Sequence, residues 1–468
     1  MRFTEPKLFC CLGVVTLLGG CAPSPFDFDP PAARPLLRDM PRYEAPEDPD
    51  RVGPGSDVVT IGEQLTLRQA LAAALVRNPR LRSLAWEPRI AEARRLQAGL
   101  SPNPSVGIEV EDFAGSGSLS GFDSVETTIA FSQLLELGGK RDRRVRVAEG
   151  QWTVSALDYE AQRLAVLTDT ASRFVRVLEL QQRVEFAVRA QVLAEENRRV
   201  IDRRVQAGDV SPIDEIKARL ESESTRIAAD RLSRELEAAR RELSAMWDAT
   251  DPGFDTAIGS LDDLMPVPLL DALTDLVEHH PEVQRWIAET ERRSSVVALE
   301  RALAVSDVTA GAGIRYAEES EDVGLVVAVS VPLAIFDRNQ GGVLAARLRA
   351  AQAIDEGRAS RRDLATRLVR AHARLTAAYH EAQAIDAALL PAAKNAYDAT
   401  RRAYDEGKLP YLDVLDAQRT LFDTETQRLE ALAEYHAAKV QVEGLISEPL
   451  DTHSLHEHSD HPNQGDTP

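Results

Sequence analysis

Three cysteines in 468 residues, 5% aromatic side chains and no long apolar run after the N-terminus set the first limits on this chain. Cys10 and Cys11 fall in an N-terminal segment that reads as removable, which leaves Cys21 alone, so no disulfide is available and stability has to come from packing and assembly. Beyond that segment no stretch approaches ~18 consecutive apolar residues, which excludes a membrane-spanning helix. Any crossing must therefore use strands closed into a barrel. Basic residues are also short: 55 Lys and Arg face 75 Asp and Glu, for a formal charge of -20. Removing residues 1–20, with Arg2, Lys7 and Glu5, lowers the charge by one more unit. That balance is wrong for nucleic acid, whose phosphates demand basic surface, and fits either a cation-tolerant lumen or simple solubility. Catalytic signatures are missing too. No paired-histidine zinc box, phosphate loop or nucleophile elbow is present, and Gly138-Gly139-Lys140 lacks the upstream glycine and following hydroxyl of a nucleotide loop. No catalytic residue, cofactor or enzymatic activity is expected.

What is present begins with a targeting segment. Arg2 and Lys7 are basic, Leu12 to Leu18 is largely apolar, and Leu18-Gly19-Gly20-Cys21 resembles a bacterial lipoprotein cleavage box, so residues 1–20 are read as a signal peptide and Cys21 as the acylated new N-terminus. Ala22, rather than an aspartate, follows it, which points to the outer membrane. The plainer alternative is an ordinary secretory signal with incidental cysteines. Residues 21–61, rich in Pro, Asp and Gly, read as an extended, lipid-anchored arm that wraps a partner or a neighbouring subunit.

The remainder says the same thing twice, with the second copy roughly 200 residues after the first. Ala207-Gly208-Asp209-Val210-Ser211-Pro212-Ile213-Asp214 returns as Glu406-Gly407-Lys408-Leu409-Pro410-Tyr411-Leu412-Asp413. The copies are read as residues 62–248 and 269–448, joined by a Pro- and Asp-rich linker at 249–268 and followed by a polar, disordered tail at 449–468. In the first copy Leu67, Ala70, Leu71, Ala74 and Leu75 share a helical face opened by Thr66, Asn78-Pro79 interrupts it, and the pattern resumes to Ser101. Period-two alternation then marks strands at about 104–114 and 124–134, and in the second copy at about 306–316 and 323–333. Four strands cannot close a wide barrel, whereas three chains would supply twelve. The alternative is a soluble hairpin pair or sandwich. Helices of about 141–207 and 342–406 contain no proline except Pro391 and would each extend on the order of 100 Å. Shorter helices from Ile213 and Leu412 return beside them, extended toward the membrane by helices at 67–101 and 269–304 stacked end to end.

Several phrases in this order resemble the outer-membrane efflux channels of the TolC family, specifically the outer-membrane factors of tripartite heavy-metal and drug efflux systems driven by an RND pump. They are Leu67-Arg68-Gln69-Ala70-Leu71 with Asn78-Pro79, Gln133-Leu134-Leu135-Glu136-Leu137-Gly138-Gly139-Lys140-Arg141, Val331-Pro332-Leu333 with Asp337-Arg338-Asn339, and Tyr404-Asp405-Glu406-Gly407. The resemblance covers about residues 62–448 and implies a mainly α protein with membrane β: a homotrimer with a twelve-strand outer-membrane β-barrel continued by a long periplasmic α-helical barrel. Its partners would be outer-membrane lipid, a periplasmic adaptor and an inner-membrane RND pump. The family pattern places two acids of the periplasmic gate on Asp413 and Asp416, one helical turn apart, where three chains would stack carboxylate rings that favour cations. The alternative is that the same residues are caps or solvent-facing helix acids. Many family members have a basic residue where Leu409 stands, so the closing links must differ here. Adaptor contact is implied for the tips Gly208, Asp209, Val210, Ser211 and Gly407, Lys408, Leu409, Pro410, which as bare sequence are also simple coiled-coil turns.

The tail gathers His453, His456, His458 and His461 beside Glu457 and Asp460. Neutral imidazoles bind divalent transition metals, so these are weak candidate ligands, with incidental polarity as the alternative. The reading is a passive exit duct, with divalent heavy-metal cations as cargo ahead of drugs or secreted protein, and a lipid-anchored periplasmic coiled-coil scaffold as the rival of a different class.

Overall fold

A computed structural model describes residues 31–32, 34–46, 48 and 60–452. The first repeat opens with a three-residue strand β1 (Gln64–Thr66) and helix α1 (Leu67–Arg77). Thr66 starts α1 through a reciprocal capping box: its hydroxyl accepts from Gln69 N at 3.3 Å while Gln69 Oε1 accepts from Thr66 N at 2.9 Å. Asn78 ends that helix and caps α2 (Pro79–Leu84) by accepting from Leu81 N, with Pro79 at the first helical position, where its missing donor costs nothing. Helix α3 (Trp86–Ala98) follows, then β2 (Ser105–Glu111), β3 (Glu126–Leu135), the 67-residue α4 (Lys140–Gln206) and α5 (Pro212–Ser244).

A short strand β4 (Thr256–Ile258) in the connecting segment pairs in parallel with β1. The second repeat continues with α6 (Leu270–Thr274), α7 (Pro281–Leu303), β5 (Val308–Ala317), β6 (Asp322–Ser330), α8 (Gln340–Ala384), α9 (Leu390–Asp405) and α10 (Tyr411–Ile446). Sequence periodicity anticipates one helix over 342–406, but the structure inserts a π-helical turn at Ile385–Leu389 between α8 and α9. Pro391 lacks an N–H and its ring clashes with the carbonyl four residues back, and the wider turn just before it relieves that clash.

Strands β2, β3, β5 and β6 form one antiparallel sheet in that order. Register sets the alternating residues on two faces. Ile108, Ile129, Ile314 and Leu325 lie opposite one another across all four strands, as do Val106, Phe131, Ala312 and Val327, so one face is an exposed apolar band. The sheet stays open within one chain, with β2 and β6 as unpaired edges. No helix among the described residues is long and apolar enough to cross a membrane.

The helices lie side by side. Nearer the sheet α3 packs on α4, α4 on α7 and α7 on α8; farther out α5 packs on α4, α4 on α10 and α10 on α9. Midway lie two cores: Leu71, Leu75, Phe174, Leu178, Leu243 and Trp247 in the first, which Ile385 and Leu432 of the second repeat join, and Leu273, Val277, Leu364, Leu368, Val442 and Ile446 in the second. The connecting segment is strapped across this region. Gln181 brackets Ala257 through both its backbone groups, Tyr435 does the same to Met265, and His436 bonds the Leu261 carbonyl.

The N-terminal stretch expected to wrap a partner or neighbour packs, where it is described, on its own chain. Leu37 is fully buried, Arg42 pairs with Glu160 at 2.8 Å, Arg163 donates to the Pro41 carbonyl and Tyr159 to that of Tyr43. Burial pushes the Tyr159 hydroxyl up to about 12, which keeps it a donor. The charges explain part of the docking: Glu160 and Arg163 are buried on α4 and find partners in Arg42 and the Pro41 carbonyl.

Candidate functional site

The two hairpin tips are built alike. At the end of α4, Gly208 takes φ +78 and donates to Val205 O, and Asp209 N closes on Arg204 O. Ser211 accepts from Ile213 N, and Pro212 opens α5. At the end of α9, Gly407 takes φ +73 and donates to Tyr404 O, and Lys408 N closes on Ala403 O. Left-handed backbone at both positions favours glycine. The prolines differ: Pro410 is the cap residue before α10, one place earlier than its counterpart. Lys408 pairs locally with Glu406 at 2.5 Å, and Leu409 is exposed.

Behind the tips the two repeats meet in a small core of Ile201 and Ala218 with Tyr397, Tyr411, Val414 and Leu415. The Tyr404 and Tyr411 rings lie 5.7 Å apart, with the Arg204 guanidinium 5.0 Å over Tyr404. Burial raises the Tyr411 hydroxyl above its ordinary range. Polar links add to the seam: Arg419 on α10 pairs with the buried Glu221 on α5, and Asn197 Nδ2 donates to Gln418 Oε1 at 3.3 Å. Within the first hairpin the Arg198 hydrogen bond, joined by those of Ser222 and Arg199, pulls Glu195 down to about 2.

Asp413 and Asp416 stand in the first turns of α10, the former half-buried and the latter exposed, while Val414 and Leu415 between them turn into the core. Neither carboxylate has an ion-pair or hydrogen-bond partner among the described residues. The structure thus brings both expected acids and both expected tips to one end of the molecule. It adds Arg419, Glu221, Tyr404 and Arg204, which the sequence reading did not nominate. The aromatic pair flanking Gly407 was the available signal; the Arg419 and Glu221 partnership, 198 positions apart, had none.

At the other end the sheet's second face carries Gly107, Ala130, Gly311, Gly313 and Ala328, with charge only toward the ends farthest from α4 and α8. There Arg315 donates to Glu126 at 2.7 Å and Thr128 at 3.2 Å. One face apolar and the other small or charged is what a membrane barrel wall requires. Cys21 and the candidate ligands His453, His456, His458 and His461 lie outside the described residues. Among the described residues no group of three or more His, Cys, Asp and Glu is placed to hold a metal ion.

A sequence model described as "Outer membrane efflux protein" matches residues 70–249 and 272–448, one segment per repeat. The chain belongs to the outer membrane efflux protein family. It is 34% identical over 382 residues to the cobalt-zinc-cadmium resistance protein CzcC of Cupriavidus metallidurans, a match covering 82% of this chain and 90% of that protein. The nickel and cobalt resistance protein CnrC of the same organism is 27% identical over 289 residues, covering 61% of this chain and 67% of that protein. The crystal structure of CusC, described by its authors in terms of transmembrane channel formation, superimposes with a TM-score of 0.69 at 16% identity over 90% of this chain and 98% of that one. At that identity the likeness establishes the fold: the strands are those of an outer-membrane β-barrel and the long helices those of a helical barrel. Family and fold are those of channel proteins of the outer membrane.

Proposed function

We propose that this chain is the exit duct of a tripartite efflux system that passes divalent heavy-metal cations from an inner-membrane RND pump and a periplasmic adaptor to the exterior. The observation that carries the cargo is the 34% identity, over most of both chains, to a protein named for cobalt, zinc and cadmium resistance. The duct is a homotrimer. In each chain every layer ends in one first-repeat edge and one second-repeat edge: β2 and β6 in the sheet, α3 and α8 near it, α5 and α9 toward the tips. Unlike edges at the two ends join head to tail and close a ring. Cys21 anchors each chain in the outer membrane through acyl chains, and the tips at 208–211 and 407–410 meet the adaptor. Asp413 and Asp416 ring the periplasmic gate, and their unpaired carboxylates leave the charge free to act on passing ions. The tail histidines His453, His456, His458 and His461 add weak, transient capture.

The test is metal retention in cells lacking the chain but keeping its pump and adaptor. Restoring the chain should lower cell-associated zinc, cobalt and cadmium during exposure, with no change for hydrophobic dyes. Relief for dyes alone would favour a drug duct of the same fold. No current in bilayers from either the wild type or an Arg419→Ala variant, which lacks the Glu221 pair tying the two hairpins, would favour a scaffold.

A further inference from the structure

Two transverse rows of side chains cross the non-apolar face of the sheet at its outer end. Glu109, Thr128, Arg315 and Gly324 stand directly opposite one another, and the next row outward is Glu111, Glu126, Ala317 and Asp322. Arg315 is the sole basic residue between positions 105 and 135 and between 306 and 331. From β5 its fork reaches over two strands: Nη1 donates to Glu126 Oε2 at 2.7 Å, Nε to Thr128 Oγ1 at 3.2 Å, and Nη2 lies 3.7 Å from Glu111 Oε2. Glu109, one step inward, has no ion-pair partner among the described residues. Four carboxylates therefore share these two rows with one guanidinium, which touches two of them, Glu126 and Glu111.

We propose that Arg315 is a specificity-determining residue of the exit: a tethered counter-ion that keeps the acidic mouth attractive to divalent cations yet unable to chelate them. The inference rests on the reading of the chain as a cation duct with this face toward the lumen. A cation duct gains from an acidic wall, but conduction demands that ions bind weakly enough to leave. Carboxylates converging from neighbouring strands are what a hard divalent ion seeks, since it collects several oxygen ligands at once. Arg315 fills the bridging position between Glu111 and Glu126 with a tethered cation that cannot diffuse away. The remaining negative charge draws ions in without offering a closed ligand set. Elsewhere on the face glycine, alanine, Val326 and the Ser105 and Ser132 hydroxyls, bonded to each other, supply no competing charge.

The test is block of single-channel current by Cd²⁺ added on the side of the strand-end loops, comparing wild type, Arg315→Gln, Arg315→Lys and Arg315→Gln/Glu126→Gln in the full-length trimer. Arg315→Gln should be half-blocked at a Cd²⁺ concentration about tenfold lower than wild type, with sensitivity reversed by Glu126→Gln. Arg315→Lys, which keeps the charge but loses the fork, should fall between them and serves as the readout if Arg315→Gln does not assemble. Equal block in wild type and the Arg315 variants overturns the inference while leaving the duct intact. A wild-type pore that prefers anions, or no current even from the Arg419→Ala variant, overturns the duct reading itself.

Discussion

Arg419 Nη2 lies 2.5 Å from Glu221 Oε2, tying the second-repeat hairpin to the first just behind the tips. Glu221 is only 7% exposed, whereas the arginine is largely in solvent. Fully enclosed pairs cost ~3–5 kcal/mol to break, and the exposure of Arg419 discounts that to about 1 kcal/mol here. This pair is positioned to hold the two hairpins together. Arg419→Ala should shift the closed-to-open balance by about fivefold per chain, seen as a higher mean bilayer current; unchanged current would remove Arg419 from the latch.

Asp413 and Asp416 give a second expectation. Neither carboxylate forms an ion pair within the chain, although Arg419 acts on Asp416 electrostatically, so three copies would gather six carboxylates at the entrance. Asp413→Asn/Asp416→Asn should move the potassium-to-chloride permeability ratio toward unity, read from reversal potentials in a salt gradient. Retained cation preference would shift selectivity to the acidic mouth around Glu109 and Glu126.

Much of this architecture was legible because it is periodic. Val106, Ile108 and Val110 alternate with Gly107 and Glu109, and the four-strand register puts each alternate set on one face. The proline-free stretch at about 141–207 reads as one helix, and α4 runs unbroken from Lys140 to Gln206. Strands β1 and β4 were missed because three residues carry no period, and the π turn because it continues a helical pattern and differs only in bond spacing. At the tips, Gly208 and Gly407 announce the turns, and Asp413 lies within recognisable reach of one. Pairings such as Arg419 with Glu221, or Arg315 with Glu126, depend on which elements become neighbours, and no local pattern records that.

The edge helices carry a third expectation. Ile213, Ile216, Leu220 and Ile227 recur at coiled-coil spacing along α5, all more than half exposed, while α9 at the opposite edge exposes Ala392, Ala396 and Ala399. Bulky knobs on one edge match small residues on the other when chains close head to tail. Ile216→Asp/Leu220→Asp should dissociate the trimer in detergent, measured by light scattering, while circular dichroism keeps the wild-type helix content. A variant that stays trimeric would place the seam elsewhere.

Acid sensitivity should centre on His280. Its Nδ1 accepts from Glu282 N at 3.2 Å and caps α7, a bond that the protonated ring cannot make. Burial, against the pull of Glu282 and with the push of Arg367 and Arg34, holds the imidazole down to about 4. The unfolded chain takes up this proton near pH 6.5 and the folded chain only near 4, so the neutral cap's contribution is complete above the unfolded value. It is then lost progressively as pH falls from about 6.5 to about 4, an effect on the order of 3 kcal/mol. His280→Asn keeps a capping oxygen without a titrating ring. The variant should therefore lose much less stability than wild type between pH 7 and pH 4.5 in matched denaturant titrations. Parallel losses in the two proteins would assign acid sensitivity to other groups, with the half-buried His436, whose ring burial likewise holds below its ordinary range, next to test.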